Sequence, residues 1–378
     1  MCEEDGMEEW KEYKLGDVCS RLSSGKNISA SKISDSDVYP VFGGNGLRGY
    51  TDNSNFTGEC AIIGRQGAFC GNVRFFSGEA YMTEHAVVVC GNEKANTRYL
   101  SYLLSTMNLG RLSGQSAQPG LAVGTLAKQL IKLPPLPTQQ KIAAILSSLD
   151  DKIELNNKIN TNLEQQAQAL FKNWFVNKYE KEGTIGDYCS VKSGFAFKSS
   201  WWQDEGTKVI RIGDIEQGCL NLETCAHVAT DKIEVAKDFI VQGGDLVIAM
   251  TGATIGKFSM IPKTQEPILV NQRVGKFFLG NNPIEKVPFI YCTLKQEEVI
   301  TEFINRGQGS AQPNISTGDI LSIPCWIPSK NEIDNFNKTI QPLFETVISN
   351  QEENRKLSSL RDSLLPKLMN GEIEVGIK

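Results

Sequence analysis

The feature that most constrains this chain of 378 residues is an internal duplication. Three short segments recur in the same order. The matching pairs are Leu15-Gly-Asp-Val-Cys-Ser20 with Ile185-Gly-Asp-Tyr-Cys-Ser190, Gly67-Ala-Phe-Cys-Gly71 with Gly252-Ala-Thr-Ile-Gly256, and Ser116-Ala-Gln-Pro119 with Ser310-Ala-Gln-Pro313. The offset between matching positions grows from 170 to 194 residues, which indicates that the second copy has longer loops. The chain is therefore predicted to contain two copies of one structural unit.

Each copy ends in a long segment with an apolar seam whose positions step by four and three residues, as in the a and d positions of a heptad repeat. The seam positions of the two copies align without gaps: Ile142, Leu146, Leu149, Ile153, Asn156, Asn160, Leu163 and Leu170, with Phe336, Ile340, Leu343, Val347, Asn350, Asn354, Leu357 and Leu364. Residues 138–182 contain no Gly or Pro, which predicts a helix of ~40 residues. In the second copy, Pro342 predicts that the helix begins or kinks there.

Two asparagines occupy equivalent places on each seam. Asparagine at a seam position costs stability but penalises slipped registers, because an asparagine opposite leucine has no partner. We therefore expect the two helices to pack on each other, most easily antiparallel, as a coiled coil. The alternative is that the asparagines face solvent and that the seam is offset.

The segment ahead of each helix is rich in short apolar runs separated by Gly, Asn, Asp and Ser, which is typical of strands and loops. The runs are Cys60–Ile63, Ala86–Val89, Lys208–Ile212 and Asp245–Ala249. Proline-rich linkers at 133–137 and 323–328 separate each strand-rich domain from its helix. The sequence thus predicts an α+β fold with an acidic extension at 1–14, strand-rich domains at 15–137 and 183–328, and long helices at 138–182 and 329–378.

Composition and charge exclude several classes of protein. Hydrophobic residues make up 40% of the chain and charged residues 22%, as in ordinary globular proteins. No apolar run is long enough to span a membrane, and the acidic N-terminus does not resemble a secretory signal, so we expect a cytoplasmic protein. Ten cysteines without a Cys-x-x-Cys motif, together with only two histidines, favour reduced buried thiols over disulfides or a metal site.

No catalytic motif is evident. The segment Gly252–Lys257 has one residue too few between its glycines for a phosphate loop, and Phe258 stands where Ser or Thr would bind magnesium. Its glycines are instead predicted to form a tight turn that requires a positive φ. The nucleophile elbow, the dinucleotide fingerprint and the tetrapeptide of amino-methyltransferases are missing as well. We expect a binding protein that needs no cofactor or metal.

Basic and amide side chains on glycine-rich loops are the candidates for binding. They are Lys26, Arg48, Arg65, Gln66 and Arg74 in the first copy, and Lys192, Lys198, Arg211, Lys257, Gln272 and Arg273 in the second. Arg and Gln have the forked geometry that reads base edges, whereas Lys suits phosphates. The alternative for each one is a solvated surface charge. Residues 15–137 carry 11 basic and 8 acidic side chains but residues 183–328 carry 13 and 16, so nucleic-acid binding by the second copy requires a local patch.

The chain resembles the specificity subunits of type I restriction-modification systems. The resemblance rests on the segment 133–146, which leads into the first helix, on Leu364–Glu374 at the C-terminus, and on Gly194–Lys198, Val209–Asp214 and Gly252–Lys257 in the second copy. It implies two target-recognition domains held apart by paired helices, each domain reading one half of a bipartite site in double-stranded DNA. It also implies that the helices dock two modification subunits, which methylate adenine. The resemblance further implies that restriction subunits, which hydrolyse ATP and cut DNA, join the same complex.

The sequence is also compatible with two alternatives. One keeps the fold and places the chain in a system whose methyltransferase and nuclease are fused. The other, suggested by the acidic second copy, is a scaffold that assembles proteins through its helices and does not bind DNA.

Overall fold

The computed structural model describes residues 10–113, 120–216, 218–307 and 313–375. The chain divides into two compact units, the first formed by residues 1–151 and 357–378 and the second by residues 152–356. Most of the Ser-Ala-Gln-Pro match (Ser116–Pro119 and Ser310–Gln312) lies outside the described residues, as does most of the acidic segment at the N-terminus.

The first unit is built on one six-stranded sheet of order β2-β7-β5-β6-β3-β4. Its elements are β1 (Lys11–Lys14), β2 (Cys19–Ser24), β3 (Tyr39–Gly43), β4 (Gly46–Thr51), β5 (Phe56–Gly64), β6 (Val73–Met82), β7 (Ala86–Gly91), α1 (Thr97–Thr106), α2 (Val123–Ala127), β8 (Leu130–Leu133) and the start of α3 (Leu136–Phe171). Neighbouring strands are antiparallel except β3 and β6, which are parallel.

The central strands of this sheet are buried on both faces, which explains why their sequences are continuous apolar runs. Ile63 and Val87 belong to the core cluster that contains Tyr99 of α1, while Ile62 and Val88 belong to a second cluster on the opposite face. The predicted strands at 60–63 and 86–89 are therefore confirmed.

Strand β1 pairs antiparallel with β8, so Lys11–Lys14 form part of the sheet structure of the first unit. This strand lies inside the segment 1–14 that the sequence assigned to an acidic extension. The second unit has the same pairing, in which β9 (Gly183–Thr184) contacts β21 (Pro324–Cys325).

The second unit contains a four-stranded sheet of order β10-β20-β17-β18 and a five-stranded sheet of order β11-β15-β12-β19-β16. After β9, its elements are α4 (Ile185–Tyr188), β10 (Ser190–Ser193), β11 (Trp202–Gln203), β12 (Thr207–Ile210), β13 (Ile215–Glu216), β14 (Cys219–Leu220), β15 (Ala226–Val228), β16 (Ile240–Val241), β17 (Leu246–Ala249), β18 (Phe258–Met260), β19 (Ile268–Val270), β20 (Val274–Phe278), α5 (Val287–Leu294), α6 (Glu297–Gly307), α7 (Thr317–Leu321), β21 and α8 (Lys330–Met369). Leu246 and Ile248 face one core cluster and Val247 faces another, so β17, like β5, is buried on both faces.

Two long helices occupy the segments in which the sequence predicts them, although both end before the predicted C-terminal bounds. Helix α3 spans 36 residues and continues into a π-helical turn at Lys172–Val176. Helix α8 begins at Lys330 and runs through Pro342, so of the two outcomes predicted for this proline, a helix start or a kink, the start is wrong. Ile340 and Phe344, on either side of the proline, are at most 1% exposed, and their packing keeps the segment helical despite the missing backbone N–H.

Within the second unit the helices are antiparallel and their asparagines pair. The Nδ2 of Asn156 donates to Oδ1 of Asn354 at 2.9 Å, and the Nδ2 of Asn350 donates to Oδ1 of Asn160 at 2.8 Å. The alternative of solvent-facing asparagines is wrong, since Asn156 and Asn160 are buried. All sixteen seam positions are buried or half-buried.

None of the helices among the described residues has the length and apolar character of a membrane span.

Candidate nucleic-acid interface

Both units contain the same set of backbone hydrogen bonds where their central strands end. In the first unit these bonds join Gly25 N to Ala86 O, Lys26 N to Met82 O, Thr83 N to Phe42 O, Arg65 N to His85 O and Leu121 N to Arg65 O, all at 2.8–3.0 Å. In the second unit they join Gly194 N to Val274 O, Phe195 N to Val270 O, Asn271 N to Ile210 O, Met250 N to Arg273 O and Ile315 N to Met250 O, all at 2.8–3.0 Å.

We call these sites the first corner (residues 25–26, 43–44, 65–67, 83–85 and 120–121) and the second corner (194–195, 211–212, 250–252, 271–273 and 314–315). The duplication seen in the sequence is thus confirmed at the level of individual hydrogen bonds.

Glycines make each corner possible. A Cβ atom at Gly25 would lie 2.0 Å from Met82 O, and one at Gly194 would lie 2.3 Å from Val270 O, so no other residue fits without moving the backbone. The recurrent turn has a positive φ at its glycines, at Gly67 (75°) in the first unit and Gly252 (73°) in the second. The prediction of a tight turn there is confirmed.

Among the described residues, neither Lys26 nor Arg65 of the first corner has an ion pair. Lys26 and Gln66 are exposed. Arg65 is half-buried, and its Nη1 lies 3.4 Å from the carbonyl oxygen of Glu84, which orients the guanidinium along the turn between β6 and β7. The neighbouring His85 pairs with the Glu84 carboxylate at 3.1 Å.

Two further arginines flank the turn between β3 and β4. A Cβ at Gly43 would lie 2.7 Å from Cδ of Arg48, and one at Gly46 would lie 2.4 Å from Nη1 of Arg74, so both arginine side chains lie directly over glycines. Both arginines are exposed, and neither has an ion pair among the described residues. The structure therefore brings Arg48, Arg65 and Arg74 to one end of the sheet.

In the second corner, Gln272 and Arg273 are exposed and border a cleft of about 530 Å³. The cleft is also lined by polar residues that the sequence did not single out: Ser193, Thr251, Asn314, Ser316 and Thr317. The Oγ1 of Thr251 is buried and has no hydrogen-bond partner among the described residues. Forked and hydroxyl side chains on a cleft of this kind are suited to base edges.

Arg211 has a different role from the other candidates. Its Nη2 donates to the carbonyl oxygen of Thr224 at 3.1 Å, and its Nε lies 3.8 Å from the Asp214 carboxylate. These contacts hold the loop that follows β12, so the Arg211 side chain stabilises the second corner from within. Phe42 and Ile210 accept equivalent hydrogen bonds, so the residues that follow them, Gly43 and Arg211, occupy equivalent positions. In the first unit the side chain of Arg48 lies over Gly43.

The remaining lysines lie at the side of the second corner. Lys192 lies 5.2 Å from the ring centre of Phe278, and Lys198 lies 5.5 Å from that of Trp201. Lys257 is half-buried at the end of the recurrent turn, where the first unit has Asn72. Trp201 is half-buried and packs beside a small apolar cluster.

Two features in or near these corners could not be identified from the amino-acid sequence alone. Glu84 and His85 are the structural counterparts of Gln272 and Arg273. The equivalent hydrogen bonds to Ala86 O and Val274 O place matching residues in this region 188 positions apart, an offset that none of the recurring sequence segments has. Lys232 was also missed; its Nζ lies 5.3 Å from the ring centre of Trp201, which it shares with Lys198.

The thiols near the sheets are unsuited to nucleophilic chemistry. Burial raises the pKa of Cys60 and of Cys189 to about 12, and burial also raises the pKa of Cys70 in the recurrent turn of the first unit. These thiols are therefore protonated and weakly nucleophilic at neutral pH.

Comparison with known proteins places the chain in a family. The family described as type I restriction modification DNA specificity domain matches residues 7–165 and 177–360, and the chain belongs to this family.

Individual relatives agree with this assignment. The EcoprrI specificity subunit of a type I restriction enzyme from Escherichia coli is 44% identical over 146 residues, which are 38% of this chain and 36% of that protein. The HindI specificity subunit from Haemophilus influenzae is 24% identical across 97% of this chain and all of that protein. A crystal structure of a type I restriction-modification S subunit from M. genitalium has the same fold, with a TM-score of 0.59 at 18% identity, covering 100% of this chain and 99% of that one.

Proposed function

We propose that this chain is the DNA-recognition subunit of a type I restriction-modification complex and that each corner reads one half of a bipartite site. The observation that carries the proposal is the equivalence of the two corners, which present different side chains on the same backbone hydrogen bonds. Two unlike readers built on one scaffold are suited to two unlike half-sites. In this proposal Arg48, Arg65, Gln66 and Arg74 serve one half, and Gln272 and Arg273 serve the other, while Lys26, Lys192, Lys198 and Lys257 contact phosphates.

The chain itself is proposed to be non-catalytic and free of cofactors. Long helices α3 and α8 are proposed to dock two modification subunits, and the restriction subunits join through the resulting complex. The system acts on double-stranded DNA in the cytoplasm. Support comes from the family membership and from the two helices, whose asparagine pairs fix one register.

Methylation mapping tests this proposal. Adenine methylation is mapped across the genome in cells that carry this gene with its neighbouring modification gene, and in cells that lack only this gene. We expect a gapped two-part motif that disappears in the deletion. A methylation pattern that is identical in both strains contradicts the recognition role.

A domain exchange tests the division of labour. Residues 1–137 are replaced by the corresponding domain of a relative with a different motif, and methylation is mapped again. We expect one half of the motif to change and the other to persist. A change in both halves, or in neither, contradicts the assignment of one half-site to each corner.

A further inference from the structure

A basic groove in the second unit is not explained by base recognition. It lies between β12, the connection from β18 to β19, and the part of α8 that belongs to the second unit, and its volume is about 380 Å³. Its charged lining residues are Lys208, Lys263, Glu266, Glu352, Arg355 and Lys356. Four cations and two carboxylates give it a positive charge, although residues 183–328 as a whole are acidic.

Most of this positive charge is unpaired. Lys356 pairs with Glu352 at 2.7 Å, one turn earlier on α8. Lys208, Lys263 and Arg355 have no ion pair in the described part of the chain, and Lys263 and Arg355 are exposed. The pKa of Glu352 is lowered first by its hydrogen bond from Lys356 and also by the charges of Arg355 and Lys263. Cationic side chains from β12, from the connection between β18 and β19, and from α8 therefore line the same groove.

We propose that this groove binds the phosphate backbone of duplex DNA next to the half-site read by the second corner. The proposal rests on the proposed function of that corner. Strand β12 connects the two places: Lys208 lines the groove, and Ile210, two residues later, forms a hydrogen bond with Asn271 of the corner. The loop between β14 and β15 also connects the groove with the second corner. Leu222 lines the groove, and the carbonyl oxygen of Thr224 accepts a hydrogen bond from Arg211 of the corner.

The chemistry of the lining favours phosphate over a protein partner. Protein interfaces depend on apolar and aromatic anchors at their centre. The groove offers only Leu222, Pro267 and Ile268, of which Leu222 and Ile268 are buried in the core. Flexible, unpaired lysine and arginine side chains are the usual partners of DNA phosphates, and such contacts make affinity dependent on salt.

The test is the salt dependence of DNA binding by the full-length chain in complex with its co-expressed modification subunits. Lys263→Gln/Arg355→Gln is compared with wild type and with Lys330→Gln/Lys338→Gln, a control that removes the same charge from exposed positions elsewhere on α8. Fluorescence anisotropy gives Kd for a duplex with the methylated motif and for a scrambled duplex, over a range of KCl concentrations. Each lost phosphate contact reduces the slope of log Kd against log salt by about 0.9.

We expect the groove variant to lose about 2 from this slope on both duplexes, with its preference for the motif unchanged, while the control variant retains the wild-type slope. If the double variant melts early, the two single variants are each expected to lose about 1. An unchanged slope in folded protein overturns the proposal. Loss of the modification subunits with an unchanged slope assigns the groove to a protein partner instead.

DNA binding by the wild-type complex distinguishes failure of the groove proposal from failure of the proposed recognition function. Wild-type protein that does not distinguish the motif from the scrambled duplex refutes recognition and the groove together. Wild-type protein that does distinguish them, alongside a groove variant with an unaltered slope, refutes only the groove.

Discussion

The asparagine pairs on the helix seam allow a quantitative test of the fold. In the second unit Asn350 donates to Asn160 at 2.8 Å, and Asn160 is 8% exposed. Replacing Asn350 with Leu removes the donor and leaves the Asn160 amide buried without that partner, which costs about 1–3 kcal/mol. Asn160→Leu leaves the half-buried Asn350 in the same situation, so its cost lies nearer the lower end of that range. The double variant places two leucines in an apolar seam and is expected to be near wild type or more stable.

Urea unfolding of the four proteins, followed by tryptophan fluorescence, measures this cycle. Four of the five tryptophans lie in the second unit, so the signal reports mainly on the part of the chain that contains the pair. Each single variant is expected to lose about 1–3 kcal/mol and the double variant less than the sum of the two. Asn335→Leu, an exposed position on the same helix, is the control and should change stability by less than about 0.5 kcal/mol. Single variants as stable as wild type, or costs that add in the double variant, refute the idea that the pair is buried and mutually satisfied.

Three further predictions follow from the corners and caps. Arg65→Ala and Arg273→Ala should each cost about 1–3 kcal/mol of discrimination in a different half of the motif, measured on duplexes with single base-pair changes, and equal weakening on all duplexes would show phosphate contact instead. Gly194→Ala, whose Cβ would meet Val270 O at 2.3 Å, should destabilise the protein by about 1–3 kcal/mol, whereas Gly213→Ala, with open space around it, should be close to neutral in the same urea assay. Ser316→Ala should cost about 1 kcal/mol at pH 7, because Ser316 caps α7 and its hydroxyl holds the pKa of Asp319 below the usual 3.8. This stabilisation is present above the unfolded pKa and is lost as the pH falls through the lower folded value, so the difference between Ser316→Ala and wild type should shrink below about pH 4, and a difference independent of pH would contradict the assignment.

Local features of the fold could be predicted from the sequence because the duplication repeats the residues that determine them at equivalent positions in both copies. The glycines at 67 and 71 return at 252 and 256, and all four have a positive φ. The seam asparagines also return, and their pairing follows from an antiparallel arrangement in which each faces an equivalent partner. One short segment determines the geometry of each glycine turn, whereas the asparagine pairing requires two copies of the same segment.

Features that depend on distant segments could not be predicted. Arg48 lies over Gly43 from the neighbouring strand, whereas the equivalent position in the second unit is Arg211 itself, and nothing in the sequence relates these two arginines. Pro342 shows the same limit, since packing of Ile340 and Phe344 in the core overrides its local tendency to interrupt a helix. The basic groove joins residues from position 208 to position 356, which no local pattern connects.

The hydrogen bonds of the two corners have a consequence for how such a chain changes over time. Each corner is held by backbone N–H and C=O groups and by glycines, whereas the side chains that project from it contribute few of the bonds that maintain it. Residues 65, 66, 84 and 85, and the counterparts 251, 272 and 273, are half-buried or exposed and are therefore free to vary without loss of the fold, whereas Met250 belongs to the core. A library randomised at these positions should remain folded while its members diverge in the DNA they prefer, so a new preference requires neither a new scaffold nor compensating changes in the core.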